Sequence, residues 1–120
     1  MSAEDRALDV RTETVGTTVV LTAAGEIDMA SAPDLQSAVE EALRAEPPVL
    51  VVDLSGVGFF GSAGLSVLLV AAEAAPERSL RVVASEPVRR PIEITGLDRV
   101  LQVFATRDDA LASEGVRPSE

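Results

Sequence analysis

Val51-Val52-Asp53-Leu54-Ser55-Gly56-Val57-Gly58-Phe59-Phe60-Gly61-Ser62-Ala63-Gly64-Leu65 is the stretch whose reading fixes the architecture. It opens inside an aliphatic run, residues 49–54, that lacks any polar alternation. Such a run fits a central parallel strand covered on both faces. Glycines then punctuate residues 55–61, which read as a loop. Ser62 stands at the expected N-cap of a helix over residues 62–75, with Leu65, Val67, Leu68, Leu69 and Val70 on most of its sides. A helix apolar all round is expected to pack deep in a domain. In doubly wound sheets, sites form in loops beyond strand C-termini, so this strand–loop–Ser62 junction is the candidate site.

Working outward, residues 1–6 are polar and are expected to be flexible. Leu8, Val10 and Thr12 alternate as in a strand with one buried face. Val15-Gly16 supplies a turn, and Val19, Leu21 and Ala23 form a second alternating run, so a hairpin is expected. Gly25-Glu26-Ile27-Asp28 ends it in a loop. Ser31 and Asp34 form a capping-box variant, with Pro33 in the first turn. Leu35, Val39 and Leu43 then give one apolar stripe, stopped by Pro47-Pro48.

On the other side, Pro76 ends the central helix and residues 80–84 read as a strand. Glu86-Pro87 opens a third helix ended by Thr95-Gly96-Leu97, with Pro91 inside it expected to shorten or bend it. Residues 100–104 form a last strand, and Thr106 with Asp109 caps a helix through Leu111. The fold class is α/β in the order ββαβαβαβα. It implies one domain over residues 7–112, a mixed, mostly parallel sheet of about five strands with helices packed against it. Residues 113–120 are expected to be a flexible tail.

Composition narrows the chemistry. The 120 residues contain no Cys, no His and no Lys, and all ten positive charges are Arg. Thiolate and zinc chemistry, a Schiff base, a Walker-type phosphate loop and a Ser–Lys dyad are therefore excluded. No metal, cofactor or catalytic residue is expected, and the chain is not read as an enzyme. The net charge of −10 gives a surface that repels nucleic acid and anionic lipid, so neither is expected as a direct partner. The start of the chain, MSAEDRALDV, is polar and acidic, and the longest apolar stretch is too short to span a bilayer, so the expected location is the cytoplasm.

A serine beside the unpaired amides of a helix N-terminus can carry an added phosphate without unfolding the helix. The phosphate brings about −1.5 to −2 charges. The plainer reading is that Ser62 only caps the helix. The segment Phe60-Gly61-Ser62-Ala63-Gly64 resembles a nucleophile elbow, but no His exists to activate the hydroxyl.

The run VVDLSGVGFFGSAGLSVLL, residues 51–69, resembles the signature of the STAS domain of bacterial anti-sigma factor antagonists. Gly25-Glu26-Ile27-Asp28, Pro87-Val88-Arg89-Arg90 and Thr95-Gly96-Leu97-Asp98-Arg99-Val100 agree in register, so the resemblance covers residues 7–112. It implies a protein that binds an anti-sigma factor serine kinase, releases a sigma factor, is switched off by phosphorylation at Ser62, and is restored by a serine phosphatase. Oligomeric state stays open. The residue before the acceptor is usually Asp in this family; here it is Gly61, followed by Ala63.

Around Ser62, the residues expected to meet the partner are Glu26, Asp28, Phe59, Phe60, Gly61, Ala63 and Ser66. Phe59 and Phe60 cannot both point inward from extended backbone. Each of these residues also has a plain structural reading: turn acids for Glu26 and Asp28, packing for the aromatics and for Ser66. The alternative function is a STAS interaction subunit of a larger sensory or transporter assembly, never phosphorylated.

Overall fold

The computed structural model describes residues 8–75 and 79–116, with side chains through residue 112. Five strands form one sheet in the spatial order β1-β2-β3-β4-β5. The strands are β1 (Leu8–Val15), β2 (Thr18–Ile27), β3 (Val49–Phe60), β4 (Leu80–Val83) and β5 (Gln102–Phe104). Only β1 runs antiparallel to its neighbour; β2, β3, β4 and β5 are mutually parallel. The helices are α1 (Ala32–Arg44), α2 (Ser62–Ala74), α3 (Glu86–Thr95) and α4 (Arg107–Val116), with a short 3₁₀ turn at Leu97–Arg99. The order and the mixed, mostly parallel sheet are those read from the sequence. None of the described helices is long and apolar enough to cross a membrane.

The aliphatic run explains the centre. Val49, Leu50, Val51, Val52, Asp53 and Leu54 are all buried, because β3 has helices on both faces. Leu50, Val52 and Leu54 join Leu21, Ala23, Leu35, Leu68, Val88 and Ile92 in the core under α1, α2 and α3. Val49 and Val51 join Val20, Val83 and Ala110 under α4, on the opposite face. Each fully buried leucine contributes roughly 1.5–3 kcal/mol over its exposed state.

Four local expectations are corrected. β1 buries only its first residue, Leu8, while Val10 is half-buried and Thr12 exposed, as befits the edge strand of the sheet. β2 is buried on both faces, Leu21 and Ala23 in the core under α1, α2 and α3 and Val20 in the smaller core under α4. Gly25, Glu26 and Ile27 are strand, not loop, and so are residues 55–60. The two stretches pair with each other, Ala24 with Gly56, Glu26 with Phe59 and Ile27 with Phe60, through two register shifts. Glycine at 56 suits that pairing: a Cβ there would stand 3.1 Å from the Ala24 Cβ.

The third helix holds both its expected ends, and the fourth its expected start. The Asp109 amide donates to Thr106 Oγ1 at 3.0 Å, and Gly96 ends α3 with φ 79°, a left-handed cap that glycine adopts without strain. Pro91 does not shorten α3, which runs its full ten residues. Helix α4 continues to Val116, beyond the expected end at Leu111. The flexible ends expected at residues 1–6 and 117–120 lie outside the described residues.

Candidate functional site: the β3–α2 junction

The site forms where β2 and β3 end side by side. Both strands run parallel here, so their C-terminal ends open on the same edge of the sheet. The Gly61 amide donates to the Ile27 carbonyl at 2.9 Å, which fastens the start of α2 to the end of β2. The Gly61 carbonyl then accepts from Gly64 (3.0 Å) and Leu65 (3.2 Å), closing the first helical turn. Gly61 is extended, with φ −92° and ψ −176°, and is itself the N-cap. Ser62 is therefore the first helical residue, one position inside the expected N-cap.

This shift bears on the plainer reading of Ser62, that its side chain caps the helix. No side chain caps α2, and the Ser62 hydroxyl makes no hydrogen bond among the described residues. Ser62 is exposed. The hydroxyl is thus not occupied in holding the helix, and it is open to an approaching partner.

The other expected residues divide by face. Cross-strand partners point to the same face of a sheet. Ile27 and Phe60 point inward, with Phe60 only 5% exposed against the core under α2. Glu26 and Phe59 point outward, and the Phe59 ring is 52% exposed. The expectation that the two phenylalanines face opposite ways holds, and it moves Phe60 from the partner surface to the core. Gly61 and Ala63 are half-buried, and Ser66 is exposed one helical turn beyond Ser62.

Asp28 lies just past β2 and organises the turn into α1. Its Oδ1 accepts from the amides of Ala30 (3.0 Å) and Ser31 (3.1 Å). The Ser31 hydroxyl accepts from the Asp28 amide at 3.0 Å and donates to the Glu26 carbonyl at 2.8 Å. Ser31 thus turns back to the β2 end instead of capping α1, which corrects the capping-box expectation. The spacing Asp28…Ser31 was a legible signal of such a side-chain turn. Asp53 plays a similar part inside β3, where its Oδ1 accepts from the amide and hydroxyl of Ser55.

Sequence reasoning missed the outer face of α2. Only Gly64, Val67, Leu68 and Ala71 of this helix are buried. Leu69 and Val70 are exposed, on the side of α2 turned away from β3 and α1. Ser62, Ser66, Leu69, Val70 and Glu73 therefore share an open face that begins at the junction. Met29, 81% exposed in the turn after β2, adds another apolar side chain near that edge of the sheet.

A family model described as "Mlab, STAS domain" matches residues 10–103. The anti-sigma-F factor antagonist RsfB of Mycobacterium tuberculosis is 43% identical over 100 residues, 82% of this chain and 80% of its own. The crystal structure of an anti-sigma factor antagonist from Mycobacterium paratuberculosis is 40% identical and superimposes with a TM-score of 0.87, covering 94% of this chain and 97% of that one. The phosphorylated form of the Bacillus cell fate determinant SpoIIAA shares the fold, with a TM-score of 0.64 at 19% identity over 88% of this chain and 98% of its own.

Proposed function

The chain belongs to the STAS domain family, among its anti-sigma factor antagonists, and from this we propose that it works in the cytoplasm as a binding partner switched at Ser62. Unmodified, it docks on an anti-sigma factor that is also a serine kinase and so frees a sigma factor. The kinase transfers the ATP γ-phosphoryl group to the Ser62 Oγ, whose proton leaves, and ADP departs. The phosphorylated chain then releases its partner, and a serine phosphatase restores the hydroxyl by hydrolysis. The chain is ligand and substrate in this cycle, not catalyst.

The observation that carries the reading is the Ser62 hydroxyl, exposed and unused at the first position of α2. The surface offered to the partner is Ser62 with Gly61, Ala63, Ser66, Phe59, Glu26 and the Asp28 turn. One observation favours the competing reading, a constitutive interaction subunit of a larger assembly: the residue before Ser62 is Gly61, where this family usually has Asp.

Displacement is the direct test of binding. The purified chain, added to a preformed complex of an anti-sigma factor and its sigma factor from the same organism, is expected to release free sigma factor in size-exclusion chromatography. A complex that stays intact at saturating concentrations of the chain would overturn the assignment.

A further inference from the structure

Gly61 presents an anomaly. Its backbone is extended, a conformation open to any L-residue, so the chain path does not call for glycine. What occupies the side-chain space is an aromatic ring. A Cβ on Gly61 would lie 3.3 Å from Phe59 Cε2, tight enough that the ring would have to give by a few tenths of an ångström, and at ordinary contact distance, 3.6 Å, from Phe59 Cζ and the Ile27 carbonyl oxygen. Phe59 in turn is not a core residue. Half its surface faces solvent, and its neighbour Phe60 fills the interior instead.

We propose that Phe59 is the specificity-determining anchor of the partner surface, and that Gly61 is its positioning residue, kept without a side chain so that the ring lies against the turn leading into Ser62. The proposal rests on the reading of the chain as an anti-sigma factor antagonist, and it names what that surface selects. An exposed aromatic already held against backbone loses little conformational freedom on docking, which favours it as a hot spot. The ring sits three residues before the exposed Ser62 hydroxyl, so the group that gives affinity and the group that is modified fall within one contact. The matching feature on the anti-sigma factor is an apolar pocket beside its kinase site, not a basic side chain. A branched side chain at position 61, bulkier than the Cβ that the ring could meet by a small shift, would displace the ring and change which anti-sigma factor is accepted.

A double-mutant cycle tests this, with the purified anti-sigma factor of the same organism that binds wild type most tightly as the probe. Phe59→Ala is expected to weaken binding on the order of thirtyfold, with its unfolding temperature unchanged. Phe59→Tyr, which keeps the ring, stays within about threefold of wild type. Gly61→Val weakens binding as much as Phe59→Ala, and adding Phe59→Ala to it costs less than about threefold more. In the free protein, the ring shifts the NMR resonance of a Gly61 Hα away from its ordinary position, and Phe59→Ala restores it. Binding by Phe59→Ala within twofold of wild type, additive effects of the two substitutions, or a Gly61 resonance that ignores the loss of the ring would each overturn the proposal. Failure of wild type to bind any anti-sigma factor would instead remove the functional reading beneath it.

Discussion

Ser62→Asp is expected to lower affinity for the anti-sigma factor about a hundredfold while leaving the fold as stable as before, or slightly more so. Two opposite effects of one charge give this pair of results. Within the free protein, a carboxylate at the first position of α2 meets the positive end of the helix dipole, a favourable interaction of about 0.3–1 kcal/mol. The Ser62 side chain is exposed and has no hydrogen bond to lose among the described residues. In the complex, the same charge must be stripped of water or placed against a surface shaped for a neutral hydroxyl, and mismatched charge at an interface costs several kcal/mol. Phosphoserine carries more charge and larger size, so its effect on binding exceeds that of aspartate. Isothermal titration and thermal unfolding of the same sample check both halves. Loss of binding together with loss of stability would point to damage at α2 and not to a switch.

Gly64→Ala is expected to destabilise the domain by about 2 kcal/mol and lower its unfolding midpoint by roughly 8 °C. The direction is opposite to the usual rule, under which alanine in place of glycine favours a helix by about 1 kcal/mol. Packing reverses it. A Cβ at Gly64 would stand 2.6 Å from Phe60 Cε1 and 2.8 Å from Ile27 Cγ2. Phe60 and Ile27 are buried, so neither can swing into solvent to make room. Relief comes only from lifting the first turn of α2 off the β2–β3 ends, which carries Ser62 away from Phe59. The substitution is therefore also expected to weaken binding to the anti-sigma factor. A midpoint that rises on Gly64→Ala, measured by circular dichroism, would show that α2 is not seated on Phe60 as described.

Much of this arrangement was legible in the residues themselves. Continuous aliphatic patterning marked residues 49–54 as a doubly covered strand, and the elements that follow came in the expected order. The expectations that failed depend on partners distant in sequence. Residues 55–60 look like a loop because Gly56 and Gly58 interrupt them, yet β2 runs alongside to Ile27 and pairs with Gly56, Val57, Phe59 and Phe60. The apolar composition of α2 suggested deep burial, but composition does not say whether a further element covers the outer face, and Leu69 and Val70 remain open.

At the site the same division holds. Ser62 was identifiable from its place between glycines and an aliphatic helix. Whether it caps the helix depended on one backbone angle pair, since Gly61 in extended conformation takes the cap position and leaves the hydroxyl unused. Phe59 and Phe60 could be assigned to opposite faces, but alternation alone did not say which faced inward. The contact between the Phe59 ring and Gly61 had no sequence signal at all, because a glycine required by a ring looks the same as one required by a turn.

The most direct measurement is site-resolved mass spectrometry after the chain has been incubated with its purified anti-sigma factor kinase and ATP. One phosphate on Ser62 is expected, absent from Ser62→Ala, with the modified chain no longer held by the kinase. A stable complex in which Ser62 stays unmodified, or a Ser62→Ala variant that is still released on addition of ATP, would contradict it.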